Sequence, residues 1–270
     1  MTKEKELIKY IKSLGVNVHT STKARGHQGF YMNKRIDISK NIPQKRIVPT
    51  LLHEFSHYIH SKLEPDIART GGSLEIIFNL NDASDIEKEL LKVTNFIDYQ
   101  SKCTKLEQHK KIIKEKIKDY EQIIKKRYPK FLKSKTFKEF DKYIKKSNAK
   151  YLLKHDRVKI ISGIFFKKIE VLSIDNIERD FCDMPVEFVA YIRLKSCQKR
   201  QSRISARINK LKKYYSKPTE LFARFVEGLY LYPETTKDCA PKTYKRFCEL
   251  LGNGYYYELS DLLKILSVIN

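Results

Sequence analysis

The most constraining feature of the sequence is an apolar stretch, residues 50–60, that contains histidines and a glutamate. It reads Thr-Leu-Leu-His-Glu-Phe-Ser-His-Tyr-Ile-His, so His53, Glu54 and His57 have the spacing H-E-x-x-H. On an α-helix, residues four apart project from one face, and two imidazoles there can bind a single metal ion. Glu54 then lies beside the metal, where its carboxylate can take a proton from an attacking water.

A surface helix can also carry this motif by chance. The flanking residues argue against that interpretation, because they are apolar and no glycine or proline interrupts the motif. We therefore predict a buried helix with a metal site. The residues that support its burial are Leu51, Leu52, Phe55 and Ile59.

Two later segments offer a third ligand for this metal. Both are Glu-x-x-Ala sequences in which a proline favours the start of a helix and a glutamate follows in its first turn. Glu187 lies in the first segment, residues 185–190, and Glu220 lies in the second, residues 217–227. Glu227, two turns after Glu220, is expected to pair with Arg224 or to support a ligand histidine.

Composition narrows the class of protein. The chain has 270 residues, of which 41% are hydrophobic and 32% charged, as in a soluble protein with a packed core. It shows no apolar run of membrane-spanning length and no signal-peptide pattern at its N-terminus, so we expect a cytoplasmic protein without a membrane span. The five cysteines are odd in number and widely spaced, so we expect reduced thiols rather than a disulfide framework.

Positive charge is concentrated in the middle of the chain. The formal net charge is +23, and residues 101–150 contain 17 Lys and 1 Arg against 6 acidic residues. Such a cluster favours a polyanionic partner, and we predict that residues 101–150 contact nucleic acid or an acidic protein. The alternative is a general lysine bias that gives a solvated helix face.

The pattern of the chain predicts a mainly helical α+β fold. Residues 29–39 read as a β-hairpin that turns at Asn33-Lys34, and residues 73–80 read as a further strand. Ser84 begins an S-x-x-E capping box, and no proline or glycine interrupts the sequence from there to Tyr128. A second long helix is predicted from about Val186 to Tyr214. The two long helices are expected to pack together as a basic α-helical hairpin. The predicted organisation is an N-terminal half with a small sheet (1–80), the helical insertion (81–210) and a C-terminal half with the third ligand (211–270).

The C-terminal part of the chain carries a resemblance. The sequence Tyr-Tyr-Ser-Lys-Pro-Thr-Glu-Leu-Phe-Ala-Arg-Phe at 214–225, with H-E-F-x-H upstream and Ala-Pro-Lys-Thr-Tyr-Lys-Arg-Phe at 240–247, resembles the gluzincin zinc metallopeptidases. Within them it is similar to the catalytic domain of anthrax lethal factor. It also resembles the metallopeptidase-like domains of large polyvalent proteins of phages and conjugative elements. The resemblance covers about residues 25–65 and 210–250, and the segment between His57 and Glu220 is longer than is usual in the family.

This resemblance implies a zincin-like fold and a Zn²⁺ ion bound by His53, His57 and Glu220, with Glu187 as the alternative third ligand. It implies that Glu54 is the catalytic base. A tyrosine a few residues before Glu220 would donate a hydrogen bond to the oxyanion of the reaction, and we assign Tyr215 to that role, with Tyr214 as the alternative.

The expected function is zinc-dependent hydrolysis of peptide bonds in a protein or peptide substrate. The strand near residues 35–38 is expected to be an edge strand that holds an extended peptide. His60 is expected to be only a residue on the helix face. Two other functions compete: a nucleic-acid-associated protein with a zincin fold, in which peptidase activity is secondary or vestigial, and a structural zinc protein of a mobile element.

Overall fold

The chain forms two compact units. The computed structural model describes residues 2–24, 27–130, 136–162 and 168–268. The first unit contains residues 1–102 and 211–270, and the second unit contains residues 103–210. The prediction of a mainly helical α+β chain with a small sheet is confirmed. The predicted insertion began at residue 81, whereas the second unit begins at residue 103, because the helix after residue 83 packs within the first unit.

The first unit begins with a helix and a three-stranded sheet. Helix α1 (Lys3–Ser13) is followed by β1 (Asn17–Thr22), β2 (Gly29–Met32) and β3 (Arg35–Ser39). Asn33 and Lys34 both have positive φ angles, of 50° and 58°, as a tight hairpin turn requires, so the predicted hairpin is confirmed.

The order of the strands corrects one prediction. The order is β1-β3-β2, with β3 parallel to β1 and antiparallel to β2. Residues 35–38 therefore lie in the central strand, where both edges are already paired. The prediction that they form an edge strand was wrong, and β2 is an edge strand instead.

Helix α2 (Ile47–Leu63) lies at the centre of the first unit, and Leu51, Leu52 and Phe55 on it are fully buried. Three shorter helices follow, α3 (Ile67–Thr70), α4 (Leu74–Phe78) and α5 (Ser84–Thr94). Residues 73–80 were predicted as a strand, and this was wrong. The Ser73 hydroxyl caps the N-terminus of α4, and Asn79 ends the helix in the left-handed conformation.

The rest of the first unit comes from the end of the chain. Its helices are α10 (Pro218–Leu231), α11 (Pro233–Cys239), α12 (Pro241–Gly252) and α13 (Tyr257–Ile265). The first three begin with proline, whose fixed φ suits the first helical position. Apolar residues of α10 interlock with α2 and α5, and this packing brings residues distant in sequence to one place.

The second unit is built on two long helices. Helix α6 (Gln100–Arg127) continues from α5 through one π-helical turn, Asn95–Tyr99, and α9 (Val186–Tyr215) is the second. Ile113 on α6 packs with Cys197 and Ile204 on α9, so the predicted pair of long helices is present. Between them lie α7 (Thr136–Ile144), the antiparallel strands β4 (Arg157–Ser162) and β5 (Lys168–Ser173), and α8 (Ile177–Asp180). These two strands were not predicted.

Across the residues that the structure describes, we find no helix with the length and hydropathy of a membrane span.

Candidate metal centre

Two helices of the first unit bring the predicted ligands together. Helix α2 presents His53 and His57 from one face, and α10 presents Glu220 from its first turn. The Nε2 atoms of the two histidines are 3.2 Å apart. Glu220 places Oε2 3.4 Å from His53 Nε2 and Oε1 3.3 Å from His57 Nε2. Among the described residues, these three form the group of possible ligands that can hold a metal ion.

The spacing of these atoms fits a small metal ion. Donors bound tetrahedrally at about 2.0–2.1 Å from one ion lie roughly 3.3 Å from each other. The 3.2 Å between the two Nε2 atoms matches that value, and each histidine has one of the two Glu220 oxygens at a similar distance, 3.4 Å for His53 and 3.3 Å for His57. Glu220 Oε2 is buried and has no hydrogen-bond partner in the described part of the chain, as expected of an atom that serves a metal. Burial raises the pKa of Glu220, but the close contacts and charges of His53 and His57 outweigh it and hold that pKa well below its usual range.

A second carboxylate lies behind the first histidine. Glu227, one percent exposed, places Oε2 3.3 Å from His53 Nδ1. Arg224 Nη1 donates to the same oxygen at 2.6 Å, and Arg46 Nη2 donates to Glu227 Oε1 at 2.8 Å. Glu227 therefore contacts both of the partners that were predicted as alternatives, Arg224 and a candidate ligand histidine. Burial raises the pKa of Glu227, whereas His53 and the two arginines lower it to about 2. The carboxylate is thus charged at neutral pH and fixes the orientation of the imidazole.

The same contacts act on the histidine. Burial and the charge of Arg224 lower the pKa of His53, but its contacts with Glu220 and Glu227 raise that pKa to about 9. In the absence of metal, the imidazole therefore carries a proton that compensates the two carboxylates. A metal cation that binds here replaces this positive charge.

Tyr215 is not among the residues that line the cleft of the candidate ligands. Its hydroxyl donates to Asp98 in the π-helical turn and accepts a hydrogen bond of 2.7 Å from Lys102. Asp98 Oδ2 also lies 3.4 Å from Arg224 Nη2. Asp98 therefore links Tyr215 to Arg224, the arginine that pairs with Glu227 next to His53. Sequence analysis missed Asp98, Lys102 and Arg46, because no local motif marks contacts between residues so distant in the sequence.

The neighbouring residue, Tyr214, lies at the cleft of the candidate ligands instead. Tyr214 lines a cleft of about 520 Å³ together with Glu54, His57 and Glu220, and Tyr215 is not among the lining residues. Burial and the negative charge of Glu220 raise the pKa of Tyr214, and a hydrogen bond with that carboxylate contributes. The structure therefore places Tyr214, the alternative residue, and not Tyr215 at the cleft with the candidate ligands.

One wall of this cleft is the edge strand β2. Gly29, Phe30 and Tyr31 line the cleft, and β2 packs against α2. A Cβ atom on Gly29 would come within 2.7 Å of Glu54 Oε1, so the absence of a side chain allows the strand to approach the carboxylate. The sequence shows this glycine, but only the packing shows what it approaches.

The remaining candidates lie elsewhere. Glu187 belongs to the second unit and pairs with Arg127 at 3.0 Å, so it is not one of the clustered ligands. His60 is fully buried, with Nε2 3.3 Å from Glu64, which also accepts hydrogen bonds from Thr70 and from the backbone of Ser73. Through Glu64, His60 therefore helps to hold the loop after α2 in place, and it is more than a residue on the helix face.

Comparison of the chain with models of protein families, with curated proteins and with solved structures finds no match.

Proposed function

We propose that the protein is a zinc-dependent endopeptidase with a zincin-type centre of the gluzincin kind. One observation carries the proposal: two of the three candidate ligands, His57 and Glu220, line one cleft with Glu54 and Tyr214, and the third, His53, contacts both of them. Each of these groups has a role in peptide-bond hydrolysis, and the cleft is lined by an edge strand.

Zinc is the metal that the donor set favours. Two imidazoles and one carboxylate are the ligands of zinc hydrolases, and three protein ligands leave a coordination position open. His53, His57 and Glu220 would hold the ion. When bound, zinc supplies Lewis acidity, which makes a water more acidic and polarises a carbonyl group.

Glu54 moves the proton in this proposal. Its carboxylate lies next to His53 in the sequence and lines the cleft beside His57, so it reaches the reacting water without being a ligand. It accepts the proton of the attacking water on a carboxylate oxygen and then gives it to the departing amine. Its side chain is buried, which limits competition from bulk water.

Tyr214 stabilises the negative charge that develops on the carbonyl oxygen. Its raised pKa keeps the hydroxyl protonated at neutral pH, so it donates a hydrogen bond. In the described part of the sheet β2 is an outer strand, and Phe30 and Tyr31 on it line the cleft, so we place an extended peptide substrate alongside β2. Glu227 acts through His53 and is a positioning residue rather than a catalytic one.

Cleavage of a mixture of unstructured peptides, read by mass spectrometry, tests this function. The protein is first stripped with a chelator and then reloaded with zinc. We expect cleavage only after reloading, and Tyr214→Phe should lower kcat by roughly 10²–10³, since it deletes one oxyanion donor. Tyr215→Phe is the matched control and should leave kcat close to that of the wild type. Equal losses in the two variants would refute the placement of Tyr214, and a zinc-loaded wild type without turnover would refute the peptidase function.

A further inference from the structure

The second unit has two adjoining clefts along α9. The larger has a volume of about 490 Å³ and the smaller about 210 Å³. Lys154 and Lys199 line both, so the two clefts adjoin each other, and we treat them together as one groove. We call it the basic groove, because eight of its lining residues are Lys or Arg and two are Asp. The cations are Lys145, Lys150, Lys154, Arg157, Lys195, Lys199, Arg200 and Arg203.

The two carboxylates do not neutralise the groove. Asp156 accepts hydrogen bonds from Ser196 at 2.6 Å and from Arg200 at 2.9 Å, and Asp141 accepts one from Tyr191 at 2.7 Å. One arginine is thus compensated, and the groove retains a large excess of positive charge. Lys145, Lys150 and Lys154 are exposed, so their ammonium groups are accessible to a ligand.

The groove also holds cations partly out of water. Burial lowers the pKa of Lys195 and Lys199, and the nearby charge of Arg203 lowers that of Lys199 further. A bound anion stabilises cations that are crowded in this way, because it compensates their positive charge.

An aromatic ring lies among these cations. Tyr151 lines the larger cleft, is 37% exposed, and has Lys150 Nζ 5.1 Å from its ring centroid. Lysines that follow a phosphate backbone and an accessible ring on which a base stacks are the two elements of single-strand recognition. A duplex hides its base faces, and an acidic peptide has no flat π-system to match the ring.

We propose that the basic groove binds a single-stranded nucleic acid, with a base stacked on Tyr151 and phosphates contacting the surrounding lysines. This surface differs from the one that the sequence predicted. Residues 101–150 contribute Asp141, Lys145 and Lys150 to it, and most of its cations come from α9 and residues 154–157. In the described part of the chain, no lysine of α6 is among the residues that line the groove.

The test is fluorescence anisotropy of the full chain with a labelled oligothymidylate of about 16 nucleotides, at salt concentrations from about 50 to 200 mM. Two triple variants remove the same charge from exposed lysines. The groove variant is Lys145→Ala, Lys150→Ala and Lys154→Ala, and the control variant is Lys111→Ala, Lys114→Ala and Lys118→Ala.

We expect the groove variant to lower the slope of log K against log salt by roughly 2, because each lost phosphate contact removes about 0.7. The control variant should keep the wild-type slope. Tyr151→Ala should weaken binding roughly 5- to 150-fold, whereas Tyr151→Phe, which keeps the π-face, should bind as the wild type does. Circular dichroism of each variant confirms that it is folded.

Three results would overturn the proposal. Equal losses in the two triple variants would show that binding depends on overall charge and not on the groove. Tighter binding of a duplex of the same length would contradict single-strand recognition. Displacement of the oligonucleotide by polyglutamate at lower concentration than by unlabelled oligothymidylate would identify the groove as a site for acidic protein.

Discussion

Replacing Glu227 with glutamine tests whether this buried carboxylate supports the metal centre. The side chain is 1% exposed and contacts His53, Arg46 and Arg224, so Gln keeps the shape but removes the charge. The pKa of Glu227 falls from 4.5 to about 2, which at 1.36 kcal/mol per pKa unit corresponds to roughly 3 kcal/mol at pH 7. Loss of one partner from a buried ion pair costs about 3–5 kcal/mol, in agreement with that figure.

The same change should weaken metal binding. Removing an outer group that orients a ligand histidine lowers metal affinity roughly 10- to 100-fold. Stability is measured by urea denaturation in the presence of a chelator, and affinity by competition with a chromophoric zinc chelator.

Glu258→Gln is the matched control. Glu258 is also a buried carboxylate of the first unit, but it contacts Lys62 and Tyr58 instead of a ligand. It should lower stability and leave zinc affinity unchanged. If Glu227→Gln bound zinc as tightly as the wild type, or if both variants lost affinity equally, the positioning role of Glu227 would be refuted.

Three further predictions concern the ligand set, the approach of β2 and the effect of pH. Glu220→Ala should abolish stoichiometric zinc binding, measured by mass spectrometry of metals, whereas Glu187→Ala should retain it. Gly29→Ala should lower the free energy of unfolding, measured by thermal denaturation, by about 1–3 kcal/mol, because the added Cβ would lie 2.5 Å from the side chain of Thr50 on α2. Gly252→Ala is the control and should not destabilise the protein, because a Cβ atom there would meet nothing within 4 Å. Burial raises the pKa of Asp156, but hydrogen bonds from α9 lower it below 3.8, so its stabilising effect is present above that value and is lost as the pH falls below it. The melting temperatures of wild type and Asp156→Asn should therefore converge on acidification.

The candidate ligand set could be predicted from the sequence because its spacing reflects local geometry. His53 and His57 are one helical turn apart, and Pro218 places Glu220 in the first turn of its helix. Tyr214 and Tyr215 were not distinguishable in this way. Both end α9, and which of them faces the cleft depends on the rotation of the helix end and on the Asp98 contact.

Local signals failed where packing or capping decided the structure. Residues 73–80 contain β-branched and aromatic residues, but burial of Ile77 and Phe78 and the cap at Ser73 favour a helix. Strands β4 and β5 do show alternating β-branched residues, which was the available signal for them. The position of β3 between two strands had no local signal, since a parallel pairing with β1 is decided by packing across the sheet.

The central claim is that Glu54 is a catalytic base beside a zinc ion and not one of its ligands. Zinc content and peptide cleavage measured on the same preparations of wild type and Glu54→Gln test it most directly. We predict one zinc ion in each protein and a loss of turnover of at least roughly 10²–10⁴ in the variant, since general acid–base assistance is removed. A variant that loses its zinc would show that Glu54 is a ligand, and one that keeps both zinc and wild-type turnover would contradict its role as the base.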